Sequence, residues 1–151
     1  MIEKLTCLIF CGGKGSRLGN LTKSLPKPLL KIKKDPIVVL IIKHYLKYGI
    51  TNFLLLVGYK SSKFIQTFNH KSYEKKIINK NLIDYKIKIN HKSVSVKILN
   101  TGINSSKKKR LLLSKKYIKD EIFFLTYGDG LADINIKKQF NFFFKKNKIG
   151  L

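Results

Sequence analysis

The chain has 151 residues, 44% of them hydrophobic, and a formal net charge of +24 at pH 7. That length and apolar fraction fit one modest domain with a packed core and exclude wholesale disorder. The charge is almost all lysine, since Arg17 and Arg110 are the only arginines; lysines spread evenly through every segment read as a solvated coat rather than a specific nucleic-acid footprint.

Residues 5–11 form a near-continuous apolar run, the pattern of a strand buried on both faces of a parallel sheet. Cys7 and Cys11 lie on or beside it. At the rise of a strand their Cα atoms are roughly 13 Å apart, too far for a disulfide. Reduced thiols and a cytoplasmic setting are therefore expected. The strand empties into Gly12-Gly13-Lys14-Gly15-Ser16-Arg17. Glycines there strip side chains from the backbone, so bare amides can close on phosphates. Arg17 offers a charged fork to the same anion. The loop is neither a P-loop nor a dinucleotide fingerprint: Ser16-Arg17 stand where a P-loop needs Lys-Ser/Thr, and Leu18 stands where the fingerprint needs glycine.

Residues 12–28 are expected to be loop, ending in Leu25-Pro26-Lys27-Pro28. Flanking prolines restrict the backbone on both sides of Lys27, whose ammonium can offset phosphate charge in a transition state. Pro36 opens a helix expected to reach Tyr48 and stop at Gly49. The apolar run from Ile37 to Ile42 is too short to span a bilayer, and no signal-peptide pattern opens the chain; a membrane is not an expected partner.

Phe53 to Val57 reads as a second buried strand, followed by Gly58-Tyr59-Lys60 and a helix to Phe68 capped by Ser61 or Ser62. Residues 70–81, rich in Lys and Asn, read as loop. Ile83 to Ile89 and Val94 to Leu99 alternate apolar and polar, which predicts two half-exposed strands forming a ribbon beside the main sheet. A polar loop over 101–109 and a short helix over 110–118 follow. Ile122 to Thr126 reads as a third buried strand, ending in Tyr127-Gly128-Asp129-Gly130, and 135–146 as an amphipathic helix capped by Asp133. Asp129, between glycines at a strand end, suits Mg²⁺, which takes few protein ligands and keeps water and phosphate as the others. His44, His70 and His91 have no metal spacing, and no covalent nucleophile is visible.

This order predicts a mostly parallel, doubly wound (Rossmann-like) α/β sheet, with ligands beyond the carboxyl ends of its strands. Gly12, Gly13 and Arg17 follow the first strand, Gly58 and Lys60 the second, and Asp129 the last. Each motif alone has a plainer reading: a tight strand exit, a proline-stiffened surface loop, an Asp-Gly turn.

Taken together, Gly12 to Leu18, Pro26-Lys27-Pro28 and Gly128-Asp129 resemble the sugar-phosphate nucleotidyltransferases. Tyr48 to Phe53, Val57 to Lys60, Asn100-Thr101-Gly102 through Arg110, and Phe124 to Asn135 resemble the glucose-1-phosphate cytidylyltransferase branch. The resemblance implies a single nucleotidyltransferase domain over 1–151, of the nucleotide-diphospho-sugar transferase type and C-terminally truncated. It implies transfer of a cytidylyl group from CTP to a sugar 1-phosphate, with Mg²⁺, giving a CDP-sugar and pyrophosphate. By position, the backbone of Gly12 and Gly13 approaches the nucleotide. Gly15, Ser16 and Arg17 hold its phosphates, and Lys27 neutralises them. Asp129 binds Mg²⁺ with Gly128 beside it, and Ser105 and Arg110 contact the nucleotide.

Three departures stand out: Cys11 replaces the family's alanine, Leu25 its first lysine of Lys-Pro-Lys-Pro, and Lys107-Lys108-Lys109 the Thr-Gly-Gly before Arg110. The family's chain also continues for roughly another hundred residues. Weak nucleotide binding and poor turnover by these residues alone are therefore expected, as is a homo-oligomer or a missing C-terminal portion. The alternatives are another nucleoside triphosphate, a non-catalytic nucleotide-binding module, or a basic protein that binds anionic polymers.

Overall fold

The computed structural model describes residues 2–15 and 19–146; the expectations placed on Ser16 and Arg17 lie outside them. The first strand, β1 (Thr6–Phe10), is buried because Cys7, Leu8 and Ile9 meet apolar layers on both faces. The chain then makes a single helical turn, α1 (Leu21–Ser24), and a small ribbon of β2 (Lys31–Ile32) with β3 (Asp35–Pro36). Helix α2 (Ile37–Leu46) starts just after Pro36, and Gly49 ends the turn that follows it at φ +89°. Only glycine suits that angle and place, since a methyl there would come within 2.6 Å of Glu3 Cγ.

Strand β4 (Asn52–Val57), helix α3 (Ser61–Phe68) and strands β5 (Glu74–Asn79), β6 (Leu82–Ile89) and β7 (Lys92–Asn100) come next. Helix α4 (Lys107–Ser114), strand β8 (Phe124–Tyr127) and helix α5 (Ile136–Lys146) complete the described chain. The main sheet has the order β5-β6-β7-β4-β1-β8. Its β7, β4, β1 and β8 run parallel, and β6 and β5 extend it antiparallel.

The pleat sorts side chains by parity. Cys7, Ile9, Phe53, Leu55, Val57, Val94, Val96 and Ile98 pack against α2 and α3. Leu8, Leu54, Leu56 and Leu99 face the other way, toward Leu111 of α4 with Tyr117 and Ile118. Helices on both faces make the sheet doubly wound, as expected. Each fully buried Leu or Ile contributes roughly 1.5–3 kcal/mol, whereas an exposed pair such as Lys86–Glu74, at 3.9 Å, contributes at most about 1 kcal/mol. The core holds this fold together.

Several expectations change. Residues 70–81 are not all loop, because Glu74–Asn79 pair with β6; every residue of β5 is exposed, so burial left no hydrophobic pattern to read. A lysine-bearing edge strand of this kind resists pairing with other chains. The two alternating strands are not a separate ribbon: β7 lies between β6 and β4 inside the main sheet. Strand β8 alternates half-buried and exposed residues instead of being buried, since among the described residues it has β1 on one side alone. Helix α4 begins at Lys107, where the Ser106 hydroxyl accepts a hydrogen bond from the Lys109 amide. Lys60, left-handed at φ 47°, occupies the cap position of α3 in place of either serine. At the start of α5 it is Asn135, not Asp133, whose side chain accepts from the Lys138 amide.

Candidate functional site

An open cleft of about 530 Å³ lies beyond the carboxyl ends of β1, β7 and β8. Among the residues singled out from the sequence, Gly12, Gly13, Gly15, Lys27, Ser105, Arg110 and Asp129 line it. Gly58 and Lys60 do not; the end of β4 supports the site from behind.

The glycine loop is pinned from several sides. The Gly12 carbonyl accepts from the Tyr59 amide at 3.3 Å and from Arg110 Nη2 at 3.1 Å. Gly15 has φ +66°, a left-handed angle that suits glycine. Its carbonyl accepts from the Thr22 hydroxyl at 3.1 Å, and the same hydroxyl lies 3.3 Å from the Gly19 carbonyl. Thr22 is buried. Its own carbonyl is held by the Tyr59 hydroxyl at 3.0 Å, and Lys60 Nζ donates to the Lys23 carbonyl. These contacts explain Gly58-Tyr59-Lys60: two side chains grip α1, and α1 grips the glycine loop.

Lys27 opens a turn of 3₁₀-helix, with Pro26 before it and Pro28 buried behind it. Its ammonium lies 2.8 Å from Asp129 Oδ2. Asp129 follows β8, whose parallel ladder continues through the Gly128 amide to the Phe10 carbonyl at 2.9 Å. Gly128 does not itself line the cleft. A methyl on it would come within 2.7 Å of Cys11 Sγ and 2.9 Å of Pro28 Cγ. The missing side chain thus lets the Lys27 turn close on the end of β8.

Ser105 turns its hydroxyl to the Thr101 carbonyl. Arg110 is buried and donates to the carbonyls of Val57 and Gly12 and to the Thr101 hydroxyl. Burial lowers its pKa, yet a guanidinium remains charged at neutral pH. Cys11 also lines the cleft, but burial, with Asp129 adding to it, pushes its thiol pKa up. It is a neutral thiol, unsuited to nucleophilic chemistry.

The Nucleotidyl transferase family model matches residues 6–149. This chain belongs to that family. Over 134 residues it is 38% identical to a Bacillus subtilis protein named "Probable glucose-1-phosphate cytidylyltransferase", covering 87% of this chain and 53% of the relative. Over 142 residues it is 33% identical to the glucose-1-phosphate cytidylyltransferase of Salmonella typhimurium, covering 91% of this chain and 55% of that protein. The chain spans about half the length of the curated relatives it matches. Among solved structures, HddC from Yersinia pseudotuberculosis complexed with GMP-PN superposes with a TM-score of 0.69 at 20% identity, over 92% of this chain and 54% of HddC. A UDP-glucose pyrophosphorylase complexed with UDP-glucose gives 0.68 at 14% identity, over 95% of this chain and 54% of that one. The fold is that of the nucleotide-diphospho-sugar transferases.

Sequence reasoning missed three things about this nucleotidyl transferase cleft. Lys14 and Lys107 line it, and Lys107 Nζ is 3.0 Å from the Tyr127 hydroxyl and 4.9 Å from the ring centroid. Thr22 was unmarked, because a lone threonine in a polar loop carries no pattern. With Lys27 and Arg110, the cleft sets four cations against the Asp129 carboxylate, a balance that favours a polyanion. Among the described residues no group of three or more His, Cys, Asp or Glu could hold a metal, and no helix is long and apolar enough to cross a membrane. A single half-exposed carboxylate does not make a protein cage. It does fit Mg²⁺ carried on phosphates, which needs one or two carboxylates.

Proposed function

We propose that the chain forms the nucleotide-binding portion of a sugar-1-phosphate cytidylyltransferase that uses CTP and glucose 1-phosphate. A phosphate oxygen of the sugar 1-phosphate attacks the α-phosphorus of CTP. The bond from the α-phosphorus to the bridging oxygen breaks, and pyrophosphate leaves; the other product is CDP-glucose. Alignment and charge neutralisation carry such a transfer without an enzyme nucleophile.

In this reading Arg17 and Lys27 are the catalytic cations. The backbone of Gly12 and Gly13 lies along the nucleotide, and Gly15, Ser16 and Arg17 hold its phosphates. Lys27 faces the reacting phosphates, and Asp129, with Gly128 beneath it, is the residue that would hold Mg²⁺. When bound, Mg²⁺ supplies further neutralisation of phosphate charge. Ser105 and Arg110, which also line the cleft, contact the nucleotide. The observation that carries the proposal is the meeting of Lys27 and Asp129 at 2.8 Å in a cleft walled by Gly12, Gly13 and Gly15. The cytidylyl branch rests on the names of the Bacillus and Salmonella relatives.

Calorimetric titration with CTP, UTP, GTP and dTTP, each with Mg²⁺, tests it. Tightest binding of CTP is expected. A preference for GTP would favour guanylyl transfer, the activity in the name of a Campylobacter jejuni relative that is 31% identical over 134 residues. Binding of none of the four would overturn the nucleotide site itself.

A further inference from the structure

Helix α1 is a single turn, Leu21–Ser24, and Asn20 at its start makes no capping hydrogen bond with its side chain. One turn does not persist alone, because nucleating a helix fixes several residues for one hydrogen bond. Its carbonyls also lack the helical partners that a longer segment would supply. Two side chains from beyond β4 stand in for those partners. The Tyr59 hydroxyl donates to the Thr22 carbonyl at 3.0 Å, with the Lys23 carbonyl 3.5 Å away, and Lys60 Nζ donates to the Lys23 carbonyl. Lys60 is left-handed at φ 47°, a conformation that costs most residues other than glycine, and its Nζ lies 5.5 Å from the centre of the Tyr59 ring.

Tyr59 is bonded to the glycine loop at both ends. Its amide donates to the Gly12 carbonyl at 3.3 Å, where the chain has just left β1, and its hydroxyl holds the Thr22 carbonyl, where the chain has entered α1. From Thr22 the hold passes on: the Thr22 hydroxyl donates to the Gly15 carbonyl at 3.1 Å, and Gly15 lines the cleft. Tyr59 itself is not among the residues lining the cleft. The Gly12 carbonyl also accepts from Arg110 Nη2. The entry to the loop therefore keeps two donors when the Tyr59 side chain is changed, and the effect of the phenol can be read at the exit.

We propose that Tyr59 is a positioning residue for the phosphates of the bound nucleotide. Its hydroxyl fixes Thr22, and Thr22 fixes the Gly15 carbonyl, so one phenol sets the far part of the glycine loop against the near part held by its own amide. The phosphate half of this proposal rests on the nucleotide reading above; the relay from Tyr59 through Thr22 to Gly15 does not.

The relay is tested first in ligand-free protein by hydrogen exchange. Tyr59→Phe removes the hydroxyl and keeps the ring. The Thr22 and Lys23 amides donate to the Gly19 and Asn20 carbonyls at 3.4 and 3.2 Å. In the variant they are expected to exchange faster by about fivefold or more, while Leu8 and Ile9 of β1 keep their native rates. Unchanged exchange at Thr22 and Lys23 overturns the relay. So does an equal acceleration in β1 and α1, which a general loss of stability would produce.

Titration with CTP and CMP, each with Mg²⁺, then reads the phosphates. Tyr59→Phe is expected to weaken CTP about tenfold, or ~1.4 kcal/mol, and CMP by less than about twofold, because CTP brings three phosphates to the loop and CMP one. In a Thr22→Val background, where the relay is already cut, Tyr59→Phe should weaken CTP by less than about twofold. Equal factors for CTP in the two backgrounds, or equal factors for CTP and CMP, overturn the positioning role. Failure of the native chain to bind either nucleotide would remove the function proposed above, while the exchange rates would still decide the relay.

Discussion

Lys27 and Asp129 meet at 2.8 Å although the turn that carries one and the strand that delivers the other come from opposite ends of the chain. Both side chains are more than a third exposed, at 38% and 36%, so their attraction adds little to folding. Its importance is positional. A cation and a carboxylate are held together at the cleft, and under the proposed function a phosphate and its metal would separate them.

Replacing Lys27 by Ala should therefore hardly move the melting midpoint, yet weaken Mg²⁺–CTP binding by about 1–3 kcal/mol through loss of a charge-assisted contact. Arg17→Ala should lose a similar amount. Calorimetry on both variants checks this, and unchanged affinity in the pair would remove the site assignment.

Gly128→Ala tests how the pair is held. A methyl there meets Cys11 Sγ at 2.7 Å and Pro28 Cγ at 2.9 Å. Both neighbours are buried and yield poorly. The expected outcome is a loss of about 1–3 kcal/mol in stability from overpacking, together with weaker CTP binding as Lys27 is driven from Asp129. Denaturant unfolding and titration measure the two effects separately.

Thr22→Val keeps the shape of a buried side chain and removes the hydroxyl that donates to the Gly15 carbonyl and lies near that of Gly19. Losing this bond should destabilise by about 0.5–1.5 kcal/mol. Because the two carbonyls bracket residues 16–18 in the chain, nucleotide affinity should fall more than it does in Thr22→Ser, which keeps the donor.

The two thiols make a prediction about pH. Burial, the larger cause in each case, raises the pKa of Cys7 and Cys11 above the ordinary value of 9.0. As pH climbs past 9.0 the unfolded chain loses these protons first. The associated stability is complete below that pH and declines above it. Urea midpoints taken from pH 7 to about pH 10.5 should fall more steeply in the native chain than in a Cys7→Ala/Cys11→Ala variant. Neither thiol should react with alkylating reagents at neutral pH until the protein unfolds.

Much of this architecture was legible in the residues because burial writes a pattern. Cys7 to Ile9 and Phe53 to Val57 are covered on both faces, and Ile37 to Leu46 presents a continuous apolar face to the sheet. Glu74 to Asn79 escaped because an exposed edge strand is held by backbone hydrogen bonds, which any side chain permits. The place of β7 escaped for a related reason: alternation reveals a strand but not its neighbours. In the cleft, Lys27 and Asp129 were readable because proline and glycine flank them. The hydrogen bond from Arg110 to the Gly12 carbonyl was not, because it is a contact between residues far apart in the chain.

Strand order also dictates when this cleft can exist. β1, the first described strand in the chain, lies between β4 and β8, and β8 is the last described strand to leave the ribosome. A nascent chain lacking Asp129 has a glycine loop and Lys27 but no acid to face them. Such distant pairings slow folding, so a newly made chain brings Asp129 to Lys27 only once β8 has paired with β1.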